Sequence, residues 1–347
     1  MTRQFRGFLG LAAKLALAVL VIDWLVLNDR LTGGSFRPVL EHWGRLPLCF
    51  ALLGCIPLIG ALRWHMFLRG QGFEVSYRRA LHLTLVGMLF NCVGIGYTGG
   101  DVAKAYFAAA DQPKGRRAEA VTTVAVDRLS GMLGLLALGL LAVLVQPAAV
   151  WADPRLRAAA AAMMVAIAVI ALGLLVGVAS GLGGSGWLSG RLERLPGGGT
   201  FLRVCRAVLV YRTHPGIILA AVGLSVVAHA INIAFAWQIG RALAMPAVSP
   251  AEFALAIVTG LAISTFGPPL GIGFGQGAFD LMLRPLGVAI GAALATLMQA
   301  VNLVFYVLVG LPAFLLVRKE GARVRAEMAE DALTGAAAEP AGKPADV

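Results

Sequence analysis

Eight apolar runs, at residues 8–28, 46–68, 80–98, 119–146, 158–180, 215–240, 252–283 and 286–317, follow one another with only short polar links between them. Crossing the hydrocarbon of a bilayer takes about 20 helical residues, and each run has roughly that length or more. A backbone in lipid must satisfy its own amides and carbonyls, so the runs are expected to be helices. With 59% apolar and 14% charged residues, the chain holds no polar block large enough to fold as a separate soluble catalytic module. The expected fold class is therefore all-α, a polytopic integral membrane protein. Residues 1–317 form its membrane domain, and residues 318–347 are expected as a cytoplasmic, disordered tail behind the basic stretch Arg318 to Arg325.

Two of the runs are poor uninterrupted helices. The third runs into Gly94, Gly96, Gly99 and Gly100, and the seventh contains Gly267-Pro268-Pro269-Leu270-Gly271-Ile272-Gly273-Phe274-Gly275-Gln276-Gly277. Proline removes a backbone donor and glycine loosens a helix. The distribution of Lys and Arg decides whether these runs cross or turn back. If all eight cross from a cytoplasmic N-terminus, the two sides carry thirteen basic residues each. If the third and seventh dip in and return, nineteen lie inside and seven outside. The sequence thus predicts about six full spans plus two re-entrant segments of inverted orientation, with both termini cytoplasmic. Interrupted segments in corresponding positions of two halves point to a binding site between them.

The formal charge of +11 lies in short loops without an aromatic-interleaved patch, so it points to membrane orientation and anionic headgroups, not nucleic acid. Cys49, Cys55, Cys92 and Cys205 lie in or beside apolar runs without metal-ligand spacing, and read as packing residues. The N-terminal run follows Arg3 and Arg6 and ends in Leu-Asn-Asp-Arg, with no small-residue cleavage site, so it is read as an uncleaved span. Residues Trp187 to Leu195, in a glycine-rich link, are expected as a short amphipathic surface piece.

Function is expected where charge meets an interrupted helix. Asn91 opens the glycine-rich stretch that leads to Gly99, Gly100, Asp101 and Lys104. Asp101 and Lys104 are three apart and share a helical face. Asp127 and Arg128 open a later apolar run. Adjacent helical residues point in different directions, so these two are expected to have separate partners. Asp101 pairs either with Lys104 or, across elements, with Arg128. Such charges are functional by default at membrane depth, although paired ones also serve folding. The turn at Gly271, Gly273 and Gln276 reads as exposed amides facing a headgroup phosphate or as close helix packing, and it lacks the strand context of a dinucleotide loop. His229 with Asn232, and Gln299 with Asn302, share helical faces and are expected as interhelical hydrogen bonds. His65 and His82 match no metal spacing. No nucleophile with a matched base and no nucleotide motif is present, so no enzyme activity, metal or cofactor is expected.

The order of these motifs carries a resemblance. Asn91 before a glycine-containing turn, Gly99-Gly100-Asp101 with a base three later, then Val124-Ala125-Val126-Asp127-Arg128-Leu129-Ser130-Gly131, and finally Gly271-Ile272-Gly273-Phe274-Gly275-Gln276-Gly277-Ala278, resemble the flippase-like membrane family named for the transmembrane region of bacterial lysylphosphatidylglycerol synthases. The resemblance implies a bacterial inner-membrane protein that moves or handles lipids or lipid-linked intermediates, with two re-entrant regions around a central cavity. Three departures stand out. Lys104 replaces the family's common arginine, which keeps charge but loses bidentate geometry. Gly275 and Gln276 stand where the family often has Arg-Glu. No stretch of residues 1–347 resembles the family's soluble aminoacyl-transferring domain, so lysylphosphatidylglycerol synthesis by this chain is not expected.

The resulting expectation is a site in which Lys104 and Arg128 attract a phosphate, Asp101 and Asp127 position those bases, and Asn91 and Gln276 supply neutral hydrogen bonds. The expected ligand is an anionic phospholipid or a lipid-linked glycan. The alternative is a non-transporting accessory subunit of a glycosyltransferase or envelope-lipid pathway.

Overall fold

The computed structural model of the chain describes residues 16, 19–93, 99–145, 147–182, 194, 209, 211, 214–265, 268 and 271–337. Over these residues the fold is helical throughout, without a strand. Its nine longest α-helices among the described residues are α1 Leu46–Gly70, α2 Tyr77–Val93, α3 Gly99–Ala110, α4 Arg117–Val145, α5 Pro154–Leu182, α6 Pro215–Ala242, α7 Pro250–Ser264, α8 Phe274–Leu283 and α9 Gly291–Ala337. Proline opens α6 and α7, where its missing amide would have no helical partner in any case. Among the described residues, four helices are long and apolar enough to cross a membrane: Trp43–Gly70, Arg117–Val145, Pro215–Ala242 and Gly291–Arg318. Helix α5 is 29 residues long.

The seventh run forms a helical hairpin, and the third does so together with Gly99–Ala110, which follows it. Helices α2 and α3 pack on each other, as do α7 and α8. In the first hairpin Arg79 Nε lies 2.8 Å from Asp111 Oδ2, so the start of α2 and the end of α3 meet at one end of the bundle. Farther along, the arms touch backbone to backbone: a Cβ on Gly100 would overlap the carbonyl oxygen of Gly87. Asn91 Oδ1 accepts the Gly100 amide at 2.8 Å, which ties the end of α2 to the first turn of α3. The second hairpin turns through Gly271 at φ 70° and Gly273 at φ 79°, a region glycine enters without steric cost.

Each hairpin has its own apolar core. Leu83, Val86, Ala108 and Val124 surround Trp64 around the first. Phe235, Phe253, Phe279, Leu294 and Phe305 build a larger cluster around the second. Helices α1 and α9 contribute to both clusters and so hold the two halves together. Since lipid is as apolar as leucine, contact between such helices depends on close packing and small residues. Gly134 of α4 is one such point, because a Cβ there would strike Ser225 of α6.

Helix α9 continues past Val317 to Ala337. Ala, Glu, Arg and Lys are strong helix formers, and a helix already nucleated propagates through them. Residues 338–347 lie outside the described residues, as do Gly94, Gly96, Pro269, Cys205, the first part of the first apolar run and the expected surface piece at 187–195, save Arg194.

Candidate functional site

Between the hairpins lies a cavity of about 310 Å³. Its charged lining is Arg63 from α1, Asp101 from the first turn of α3, and Asp127 and Arg128 from α4. His229 and Asn232 from α6, Thr265 just after α7, and Asn302 from α9 add neutral polar groups. Each hairpin therefore presents its turn end to the same space, Asp101 from one and Thr265 from the other.

Asp127 is the hub of the ionic network. Its Oδ1 accepts Arg63 Nε at 2.7 Å, and its Oδ2 accepts Lys104 Nζ at 2.9 Å. A buried carboxylate with two charge-assisted hydrogen bonds from two other helices is a strong positional constraint. Arg63 is fixed further by donating from Nη1 to Ser225 Oγ at 2.7 Å, and Ser225 in turn donates to the Ala221 carbonyl at 2.7 Å. Lys104 lies over the Trp64 ring, 4.1 Å from its centroid. Trp64 Nε1 donates to Thr123 Oγ1 at 2.9 Å, which sets the ring in place.

Arg128 and Asp101 form the second pair, with Nη1 to Oδ2 at 2.6 Å. Both are about one-third exposed, at 30% and 34%, whereas Lys104 and Asp127 are nearly covered, at 8% and 7%. The open pair faces the cavity. The closed pair braces its wall.

Adjacency on the sequence thus gives opposite roles, as helical geometry requires: Asp127 turns into the bundle and Arg128 toward Asp101. Of the two partners open to Asp101 in the sequence, Arg128 is the one it bonds. Lys104 reaches across to Asp127 and does not line the cavity. Asn91 lies at the hairpin contact and not in the lining. Gly99 and Gly100 open α3 beside Asp101, whose charge suits a helix N-terminus.

The second motif is structural in its contacts. Gln276 Oε1 accepts the Gly273 amide at 2.7 Å, and its Nε2 donates to Gln299 Oε1 at 2.6 Å. The Gln276 side chain is buried and absent from the cavity wall. Gly271 packs against Ser264, where a Cβ would collide. Of the helix-face pairs, Gln299 and His229 make the interhelical hydrogen bonds expected of them, His229 through Nε2 at 3.1 Å from the Gly131 carbonyl. Asn232 and Asn302 instead line the cavity.

Arg63 was not singled out in the sequence. The signal was a strong base inside an otherwise apolar run, seven residues short of the helix end, where it reads as a base reaching for the headgroups. Counting it, Arg63, Lys104 and Arg128 face Asp101 and Asp127, so the described network carries one positive charge in excess.

A family model described as the lysylphosphatidylglycerol synthase TM region matches residues 11–310. No curated protein and no solved structure matches the chain.

Proposed function

We infer that this chain, which belongs to the lysylphosphatidylglycerol synthase TM-region family, binds the phosphate of an anionic phospholipid or lipid-linked glycan in its central cavity and assists its passage between leaflets of the bacterial inner membrane. One observation carries this reading: a cavity inside a bundle of membrane-length helices is lined by Arg63 and Arg128, and with Lys104 behind its wall the described ion pairs set three bases against Asp101 and Asp127. An ionic network removed from water is costly unless it is balanced. A phosphate monoanion supplies the missing negative charge, and an arginine fork matches its oxygens.

In this mechanism Arg63 and Arg128 contact the phosphate. Lys104 is a positioning residue that acts through Asp127, and Asp101 holds Arg128 ready until the ligand arrives. The hairpins act as re-entrant elements, entering from opposite sides. In support, the arms of the first are 17 and 12 residues and those of the second 15 and 10. At 1.5 Å per residue these reach about 15 to 26 Å, short of a hydrocarbon core of about 30 Å. The protein acts without covalent chemistry, so net movement follows a gradient or a partner.

The test is reconstitution of the purified chain into liposomes holding a fluorescent anionic phospholipid, with dithionite quenching of the outer leaflet. Wild type is expected to expose the inner-leaflet pool, and Arg128→Gln to slow that exchange about tenfold or more. Exchange at the protein-free rate by folded wild type would reject transport and leave the accessory-subunit reading.

A further inference from the structure

One titratable side chain of the cavity wall stands outside the ionic network. The charged and titratable groups of that lining are Arg63 from α1, Asp101 from α3, Asp127 and Arg128 from α4, His229 from α6 and Tyr306 from α9, while the end of α7 brings the neutral Thr265. Arg63 pairs with Asp127, and Arg128 with Asp101. A phenol is neutral until far above pH 7 and has no site for a further proton, whereas imidazole is the side chain built to change charge in the physiological range. His229 is therefore the group of this wall that takes a proton without breaking an ion pair.

Its ring is oriented for that exchange. Nε2 lies 3.1 Å from the Gly131 carbonyl oxygen, and a carbonyl only accepts, so Nε2 carries a hydrogen in the neutral and in the protonated ring alike. The additional proton goes to Nδ1, which makes no hydrogen bond among the described residues. The cation Arg63 stands close by. It donates from Nη1 to Ser225 Oγ at 2.7 Å, four residues before His229 on α6, and the same Nη1 lies 3.3 Å from where a Cβ on Gly131 would stand.

Charge then couples this proton to the ligand. The described ion pairs hold one positive charge in excess, so a proton on His229 makes the excess two. A phosphodiester against Arg63 and Arg128 offsets one of them. In a cavity of about 310 Å³ the phosphate and the imidazole are near neighbours, and opposite charges attract strongly where water is scarce. The effect is reciprocal: the ligand favours the proton and the proton favours the ligand, by the same factor.

We propose that the cavity takes up a proton on His229 Nδ1 together with its anionic ligand, so that the chain is a proton-coupled carrier driven by a pH gradient. The proposal rests on the phosphate-binding reading above and names the gradient behind it. The proton comes from water on the side where the lipid enters and returns to water on the side where the lipid leaves. One negative and one positive charge move together, so the step is electrically neutral and a membrane potential does no work on it.

Titration of the purified full chain in a neutral detergent with fluorescent phosphatidylglycerol, whose phosphodiester stays ionised throughout, gives the affinity at two pH values. Wild type is expected to bind about fivefold more tightly at pH 5.5 than at pH 7.5. By linkage that slope corresponds to about one-third of a proton taken up per lipid, which an indicator dye reads in weakly buffered solution. In His229→Gln, whose amide still offers a donor to the Gly131 carbonyl, the pH dependence and the uptake are both expected to vanish. In liposomes, a pH gradient without a potential is expected to draw short-chain fluorescent phosphatidylglycerol to the more alkaline side beyond the protein-free control, read by albumin extraction. A potassium diffusion potential at equal pH is expected to leave it evenly distributed.

Equal affinity of wild type at the two pH values would overturn the proposal without any variant. A pH dependence that survives in folded His229→Gln would overturn it too, by assigning the proton to Asp101 or Asp127, whose protonation also tightens anion binding in acid. Redistribution by the potential and not by the pH gradient would reject the neutral step. Should phosphatidylglycerol bind no better than phosphatidylcholine at either pH, the anionic-lipid reading itself fails, an outcome distinct from anionic-lipid binding that ignores pH.

Discussion

Arg63 Nε and Asp127 Oδ1 stand 2.7 Å apart, joining α1 to α4 in the interior of the bundle. Asp127 holds Lys104 with its other oxygen at 2.9 Å. One carboxylate therefore positions two bases, and its loss strands both.

The stabilities of single variants should follow that asymmetry. Asp127→Asn is expected to destabilise by about 3–5 kcal/mol, the cost of leaving buried charge uncompensated. Arg63→Met is expected to cost less, because Lys104 still balances Asp127. Thermal unfolding of purified protein in detergent gives the order. A milder effect for Asp127→Asn than for Arg63→Met would contradict the hub arrangement.

The open pair, Arg128 and Asp101, is partly exposed to the cavity and should couple more weakly. A double-mutant cycle of Asp101→Asn and Arg128→Gln is expected to give an interaction of about 1 kcal/mol, discounted for that exposure. Additive single changes would mean that the 2.6 Å contact contributes nothing in solution.

Gly100→Ala tests the first hairpin. The added methyl collides with the Gly87 carbonyl oxygen, and backbone cannot yield as a side-chain end does. The variant is expected to lose about 2–3 kcal/mol and to weaken anionic-lipid binding as Asp101 shifts. Gly115→Ala, with open space around its Cβ, serves as the control and should leave the melting temperature unchanged.

Gln276→Leu separates support from ligand contact. It leaves the Gly273 amide and Gln299 Oε1 without the partners they now have, at an expected cost of about 1–3 kcal/mol. Since Gln276 does not line the cavity, retention of an anionic phospholipid by the folded variant in native mass spectrometry should match wild type. Weakened retention would bring Gln276 back into the ligand site.

Sidedness is checked by labelling. Gln112→Cys and Ala118→Cys, in a background without Cys49, Cys55, Cys92 and Cys205, should resist an impermeant thiol reagent in intact cells and react after lysis. The expectation follows from the excess of bases on the cytoplasmic side. Reaction in intact cells would place the open end of the α2–α3 hairpin outside.

The sequence by itself determined the helical membrane fold, because backbone in lipid has few ways to satisfy its hydrogen bonds and the apolar runs fix where helices lie. It also marked two runs as interrupted, since the glycine- and proline-rich stretches around Gly94–Gly100 and Gly267–Gly277 are poor uninterrupted helix, although the second arm Gly99–Ala110 lies beyond the run it marked. The separation of Asp127 from Arg128 was legible too, because consecutive residues on a helix diverge by about 100°, given 3.6 residues per turn. Only the tertiary structure decided the partners. Spacing placed Lys104 beside Asp101 on one face, yet its ammonium bonds Asp127 and lies over Trp64 once α1, α3 and α4 pack. Arg63 entered the site for the same reason: its partners, Asp127 and Ser225, are 64 and 162 positions away in the chain. Gln276 left it, because its amide groups meet Gly273 and Gln299 before they can meet a ligand. A helix pattern gives the direction of each side chain around its own axis, while the identity of what it meets depends on how the other helices are arranged around it.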